Sequence, residues 1–132
     1  MGIIPDNFLD LLTTKKAFAN IATVMKDGSP QVTPIWFDYT DGRIRVNTAR
    51  GRVKARTLRP GARVALAIAD PDNAYRYLQV RGRVLNVTEE GADAHIDSLA
   101  KKYLGQDKYP FRQSGEVRIQ CEIEPTSAQT MG

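Results

Sequence analysis

Apolar residues recur along this chain at two spacings: every second residue in several runs, and every third or fourth near the start and across residues 89–104. Strict alternation marks half-buried strands, and the longer period marks helices. Residues 61–69 set Val64, Leu66 and Ile68 against Ala65, Ala67 and Ala69, so one face fills a core and the other lets something approach closely. From residue 117 to 124, Val117, Ile119, Cys121 and Ile123 alternate with polar neighbours, which turns the Cys121 thiol inward. Residues 17–25 turn through Lys26-Asp27-Gly28-Ser29 into 31–39, which turn at Asp41-Gly42 into 43–47, predicting an antiparallel meander. After a turn at 70–73, residues 75–88 read as a long strand in which Gly82 predicts a bulge or bend. A short amphipathic helix is predicted over 6–12, where Phe8, Leu9, Leu11 and Leu12 follow a Pro-Asp start. The longest helix falls at 89–104, with Ala92, Ile96, Leu99 and Tyr103 on one stripe, and a polar connection follows over 105–114. Six strands with helices around them predict a mainly β (α+β) fold, a small antiparallel barrel in one domain spanning residues 1–132.

Residues 31–39, QVTPIWFDY, carry the sharpest local signal. Ile35, Phe37 and Tyr39 share the core face, which leaves Pro34, Trp36 and Asp38 on the other. Proline donates no ladder hydrogen bond, so Pro34 marks a strand edge or a bulge. Trp36, turned away from the core, covers either a subunit interface or a cofactor.

The composition, 42% apolar and 26% charged, is that of a globular chain, and no apolar run has the length a membrane span needs. The N-terminal residues carry neither the basic start of a signal peptide nor a myristoylation motif, so a cytoplasmic protein is expected. With one cysteine and one histidine, an internal disulfide, a thiolate metal cluster and a zinc site are not expected. Neither a Gly-rich dinucleotide fingerprint nor a Gly-Lys-Ser/Thr phosphate loop occurs. No serine or cysteine stands in a nucleophile setting, and His95, at the edge of its helix stripe, reads as a surface or packing residue. An enzyme so poor in acid–base groups would rely on a cofactor for its chemistry.

The net charge is +4, and six cations with no acid lie between Arg50 and Arg63. Taken alone, that run is a solvated helix face. Its place after a strand puts Gly51 where a strand gives way to a short helix, a setting that suits a phosphate. No aromatic residue interrupts the run, which argues against single-stranded nucleic acid as the partner.

Residues 17–84, AFANIATVMKDGSPQVTPIWFDYTDGRIRVNTARGRVKARTLRPGARVALAIADPDNAYRYLQVRGRV, resemble the pyridoxamine 5′-phosphate oxidase-like split β-barrel superfamily, within it the group that uses the deazaflavin coenzyme F420. The segment Lys101-Lys102-Tyr103-Leu104-Gly105 is similar to a helix end of the same group. The resemblance implies a six-stranded split barrel of the FMN-binding type, assembled as a homodimer with cofactor sites near the interface. It implies that the phosphate is held by Arg52, Lys54 and Arg56, with Asn47 and Thr48 close by, and that the ring lies along Thr33, Pro34, Ile35 and Trp36. Tyr77 matches a further position near the site. Thr57 stands where the family often has Asn. The implied activity is that of an oxidoreductase passing a hydride from the reduced deazaflavin to an electron-poor small molecule, with no catalytic side chain. An FMN-binding flavin reductase or pyridoxamine-phosphate-oxidase-like protein is the alternative within the fold, and a non-catalytic F420 carrier the alternative outside catalysis.

Overall fold

The computed structural model describes residues 3–132; Met1 and Gly2, on which the myristoylation reading partly rests, lie outside them. Where one helix was expected over 6–12, a 3-10 turn at Asp6–Phe8 is followed by a separate α-helix, α1 (Asp10–Thr13). Together they place Phe8, Leu11 and Leu12 in the core. The remaining elements are β1 (Ala19–Val24), β2 (Pro30–Ile35), β3 (Phe37–Thr40), β4 (Arg43–Ala49), α2 (Val53–Thr57), β5 (Arg63–Asp70), β6 (Asn73–Thr88), α3 (Ala92–Leu104) and β7 (Arg118–Met131).

Seven strands, rather than the expected six, form one antiparallel sheet in the order β2-β1-β5-β6-β7-β4-β3. The extra strand comes from QVTPIWFDY, which is two strands and not one. β2 pairs with β1, and β3 pairs with β4, at opposite edges of the sheet. Only Trp36 separates them in sequence, so the sheet curls until its edges meet at that residue. The result is a split β-barrel. Ile35 and Phe37 are both buried, so the alternation runs through the corner unbroken and conceals the change of partner.

β7 also differs from expectation. Residues 126–131, beyond the alternating run of 117–124, continue the strand and pair with β6 as far as Met131. The expected irregularity at Gly82 is present as a register shift between Arg81 and Gly82. A Cβ on Gly82 would lie 2.6 Å from the Glu124 carbonyl oxygen, so the crossing strand comes closer than any side chain permits.

The barrel interior is filled by the inward faces of the strands, among them Ile21, Phe37, Ile44, Val46, Leu66, Ile68, Leu78, Val80, Cys121 and Ile123. Cys121 is free and fully buried, and burial pushes its thiol pKa up to about 12. Outside the barrel, α3 lies over β4 and β7. Ile96, Leu99 and Tyr103 form a second small core there, with Trp36 and Tyr109 against it. Outward-facing residues of β3, β4 and β7 are therefore covered, and the space beside them houses the candidate site.

Candidate functional site

A cavity of about 200 Å³ opens between the outer face of the barrel and α3. One wall is aromatic. Trp36 stacks on Tyr103 with centroids 5.2 Å apart and planes within 5°, Tyr109 meets Trp36 edge-on at 6.0 Å, and Phe111 meets Tyr109 at 5.7 Å. Phe18, edge-on to Tyr103, completes the wall. Tyr103 is pinned from below, its hydroxyl donating to the Ala17 carbonyl at 2.5 Å; burial raises its pKa to about 12. Trp36 thus owes its place to the strand corner and to the last turn of α3.

The other wall is cationic, formed by Arg52, Lys54 and Arg118. Lys54 has no ion-pair partner among the described residues, and its pKa is lowered first by burial and then by the charges of Arg52 and Arg118. Among the described residues Glu116 alone offsets the group, 3.1 Å from Arg118 and 3.9 Å from Arg52. Three cations facing one carboxylate leave the cavity positive, the arrangement expected where an anion binds. α2 is only five residues long, so its dipole adds little and the side chains supply the field.

Of the residues expected at a site, Pro34, Ile35, Trp36, Asn47, Arg52 and Lys54 are brought together in this cavity. Thr33 and Thr48 are not in its lining, although each is next in sequence to a lining residue. Their hydroxyls are buried without a hydrogen-bond partner among the described residues. A buried hydroxyl left unpaired costs about 1–3 kcal/mol, so each is a local weakness in the fold. Arg56 is exposed on α2 outside the lining. Thr57 is buried, and its hydroxyl donates to the Val53 and Lys54 carbonyls. Tyr77 lies on β6 between Ala69 and Met131, apart from the rest. Asn47 is saturated: its Oδ1 accepts from Arg118 Nε at 2.8 Å, and its Nδ2 faces the Ala92 carbonyl at 2.9 Å and His95 Nδ1 at 3.1 Å.

Arg118 is the charged site residue that sequence reasoning missed, along with the aromatic Phe18, Tyr109 and Phe111. Alternation placed it correctly on the outer side of its strand, but nothing local shows that α3 and the 109–111 segment cover that side. His95 is a packing residue, as expected, yet a hydrogen-bonded one: its Nε2 lies 3.2 Å from Asp38 Oδ2. Asp38 also accepts two 2.8 Å bonds from Arg45. Burial raises the Asp38 pKa, but the hydrogen bonds of His95 and Arg45 outweigh it and the net shift is downward.

A larger open groove, about 720 Å³, runs over the outer faces of β1, β5, β6 and β7 past Arg63, Arg81 and Arg83. Those arginines are exposed, and none of the expected site residues borders the groove. The smaller cavity, with its buried cation and aromatic wall, is the better-built site.

Residues 4–130 match the family model described as pyridoxamine 5′-phosphate oxidase. The chain belongs to that family. It is a family of flavin-type oxidoreductases on the split-barrel fold, and the curled antiparallel sheet described above is that fold. Among solved structures, an F420 reductase is similar at 30% identity with a TM-score of 0.80, over 96% of this chain and 98% of that one. A conserved hypothetical protein from Mycobacterium tuberculosis shares the fold at 22% identity and a TM-score of 0.73, over 98% of this chain and 85% of the other. So does an FAD and heme binding protein from Mycobacterium smegmatis, at 17% identity and 0.70, over 98% and 71%. No curated protein matches the sequence. Among the described residues no helix is long and apolar enough to cross a membrane.

Proposed function

We propose that this family member is an F420-dependent oxidoreductase that transfers a hydride between the deazaflavin and an electron-poor small molecule. The observation that carries the reading is the cavity at the strand corner, where three cations opposed by one carboxylate face an aromatic wall. A phosphate suits the first wall, and a flat ring suits the second. The similarity to an F420 reductase adds support.

When bound, the deazaflavin supplies the hydride chemistry; the chain's residues bind, orient and exclude water. Arg52 and Lys54 hold the phosphate, with Arg56 reaching from the solvent side. The backbone of residues 33–36 flanks the ring. No side chain is assigned a proton-transfer role.

A volume of about 200 Å³ holds an anionic head and part of a ring, not a whole cofactor. The remainder lies on the surface, where a second copy of the chain completes the site. The outer sheet face suits such a partner: Ala67 and Ala69 make it flat, and Val32, Tyr77 and Met131 expose apolar surface around them. In the homodimer Tyr77 serves the partner's site.

FMN is the second reading, favoured by the family description and by the flavin in the name of the M. smegmatis protein. The test is titration of the purified protein with F420 and with FMN by fluorescence, followed by oxidation of reduced F420 against a panel of acceptors. F420 binding with turnover supports the proposal. Tight FMN binding without F420 binding overturns it, and F420 binding without turnover on any acceptor makes the chain a carrier.

A further inference from the structure

We infer that Arg118 is the inner contact for the anionic group in the cavity, and that Asp38, His95 and Asn47 are positioning residues that aim it. The inference rests on the reading that the cavity takes the phosphate of a cofactor. Arg118 comes from β7, far in sequence from the basic run on α2, and its side chain is only 3% exposed. Its guanidinium is fixed on three sides: Nε donates to Asn47 at 2.8 Å, Nη1 to Glu116 at 3.1 Å, and Tyr109 lies over its face at 5.2 Å. Nη2 has no partner among the described residues, and the residue lines the cavity. Nη2 is not a buried atom, so it opens to the cavity and is free to donate to a ligand there.

What aims Arg118 follows from hydrogen-bond directions. Because Asn47 Oδ1 accepts from Arg118, its amide nitrogen must be the end that faces the Ala92 carbonyl and His95 Nδ1. A donor therefore points at Nδ1, so Nδ1 accepts and the ring proton sits on Nε2. That proton is directed at Asp38, which Arg45 clamps with two bonds. The chain has one consistent set of directions, from the outer side of β3 and β4, through α3, to Arg118. Asn47 is spent on this task and is not itself a ligand contact.

The charge balance names the ligand class. Arg52, Lys54 and Arg118 less Glu116 leave two uncompensated positive charges, which suit an organic phosphate: the F420 phosphate is a diester with one charge and its acidic tail supplies more, whereas a monoester such as that of FMN carries both itself.

The experiment compares F420 with the same deazaflavin lacking its phosphate, on wild type and on Arg118→Gln, Arg118→Lys, His95→Leu and His95→Gln, each checked for native Tm. Arg118→Gln should weaken F420 binding by roughly tenfold or more while leaving the phosphate-free deazaflavin unchanged. Arg118→Lys should recover part of the loss. His95→Leu should lower F420 affinity several-fold, and His95→Gln should restore it, because a glutamine amide can accept from Asn47 and donate to Asp38. Equal losses for both deazaflavins would mean that Arg118 only supports the fold, and the inference would be overturned. A measurement on wild type needs no variant to fold: inorganic phosphate should shift the Arg118 Nε–H resonance, and an unmoved resonance overturns the inference. If wild type binds neither deazaflavin while phosphate shifts that resonance, the F420 reading fails and the Arg118 assignment stands.

Discussion

Two clusters of cations in this molecule are treated in opposite ways. Beside α1, Arg76 donates to both oxygens of Asp10, to Asp70 and to the Asn7 carbonyl, and lies over the Phe8 ring. Lys15 bonds Asp70 and Asp72, so two cations meet three carboxylates. At the strand corner, three cations meet one carboxylate. The first cluster is complete as it stands and ties the N-terminal segment to β5 and β6. The second is complete only with a guest. The distinction lies in what each cation faces, since both clusters contain arginine, lysine and acid.

The largest expected contrast comes from truncating one cation in each cluster. Lys54→Ala should weaken F420 binding roughly 10- to 100-fold and reduce its salt dependence, with Tm unchanged or slightly raised because like-charge repulsion is relieved. Arg76→Met should lower Tm and leave F420 affinity unchanged, since it strands Asp10 and leaves Asp70 with Lys15 alone as its cation. Fluorescence titration and thermal melts on the two variants decide it; a loss of binding in Arg76→Met would erase the distinction.

The next contrast is in pH. An anion binds the protonated form of Lys54, whose pKa is lowered by burial and by its two cationic neighbours. Affinity should hold below that pKa and fall as pH rises through it, before the usual lysine range near ~10.4 is reached. Lys54→Arg should move this alkaline limb upward. Asp70 works in the opposite direction: hydrogen bonding from Lys15, then from the Asp72 N–H, holds its carboxyl well below the usual range. Its stabilisation is fully present above about pH 4 and is lost as pH falls from there toward the depressed folded pKa. Urea melts across the acid range should show that limb flattened in Asp70→Asn, and an unaltered limb would remove Asp70 from the account.

The smallest effect expected is at Thr48. Thr48→Val removes a buried hydroxyl that has no partner among the described residues, so stability should hold or rise slightly. F420 affinity should fall about threefold if the ligand uses that donor. Unchanged affinity in the titration would leave Thr48 outside the site.

Much of this comparison can be read in the sequence, and the failures have physical causes. Alternation located β5 within two residues at its start, and the stripe of Ile96, Leu99 and Tyr103 faces the second core as expected. Arg52 and Lys54 are in the cavity while Arg56, two residues past Lys54 and so on the other face of α2, is outside it: helical position sorts ligands from solvated neighbours, and a run of cations alone does not. Arg118 was invisible because burial on the outer side of a strand depends on a helix that comes from elsewhere. The corner at Trp36 was invisible because a period of two records which face a residue takes and never which strand it pairs with.

That corner bears on how the chain reaches its fold. β2 and β3 each pair locally, with β1 and β4, but the two hairpins become opposite edges of one sheet only when β5, β6 and β7 join them. Contacts of long sequence separation form late and slowly. The only tryptophan sits at the seam, stacked on Tyr103 of the penultimate element. Its intrinsic fluorescence therefore reports the closing of the sheet in refolding, and the same closure builds the cavity wall, so binding competence should arrive with the last kinetic phase and not before.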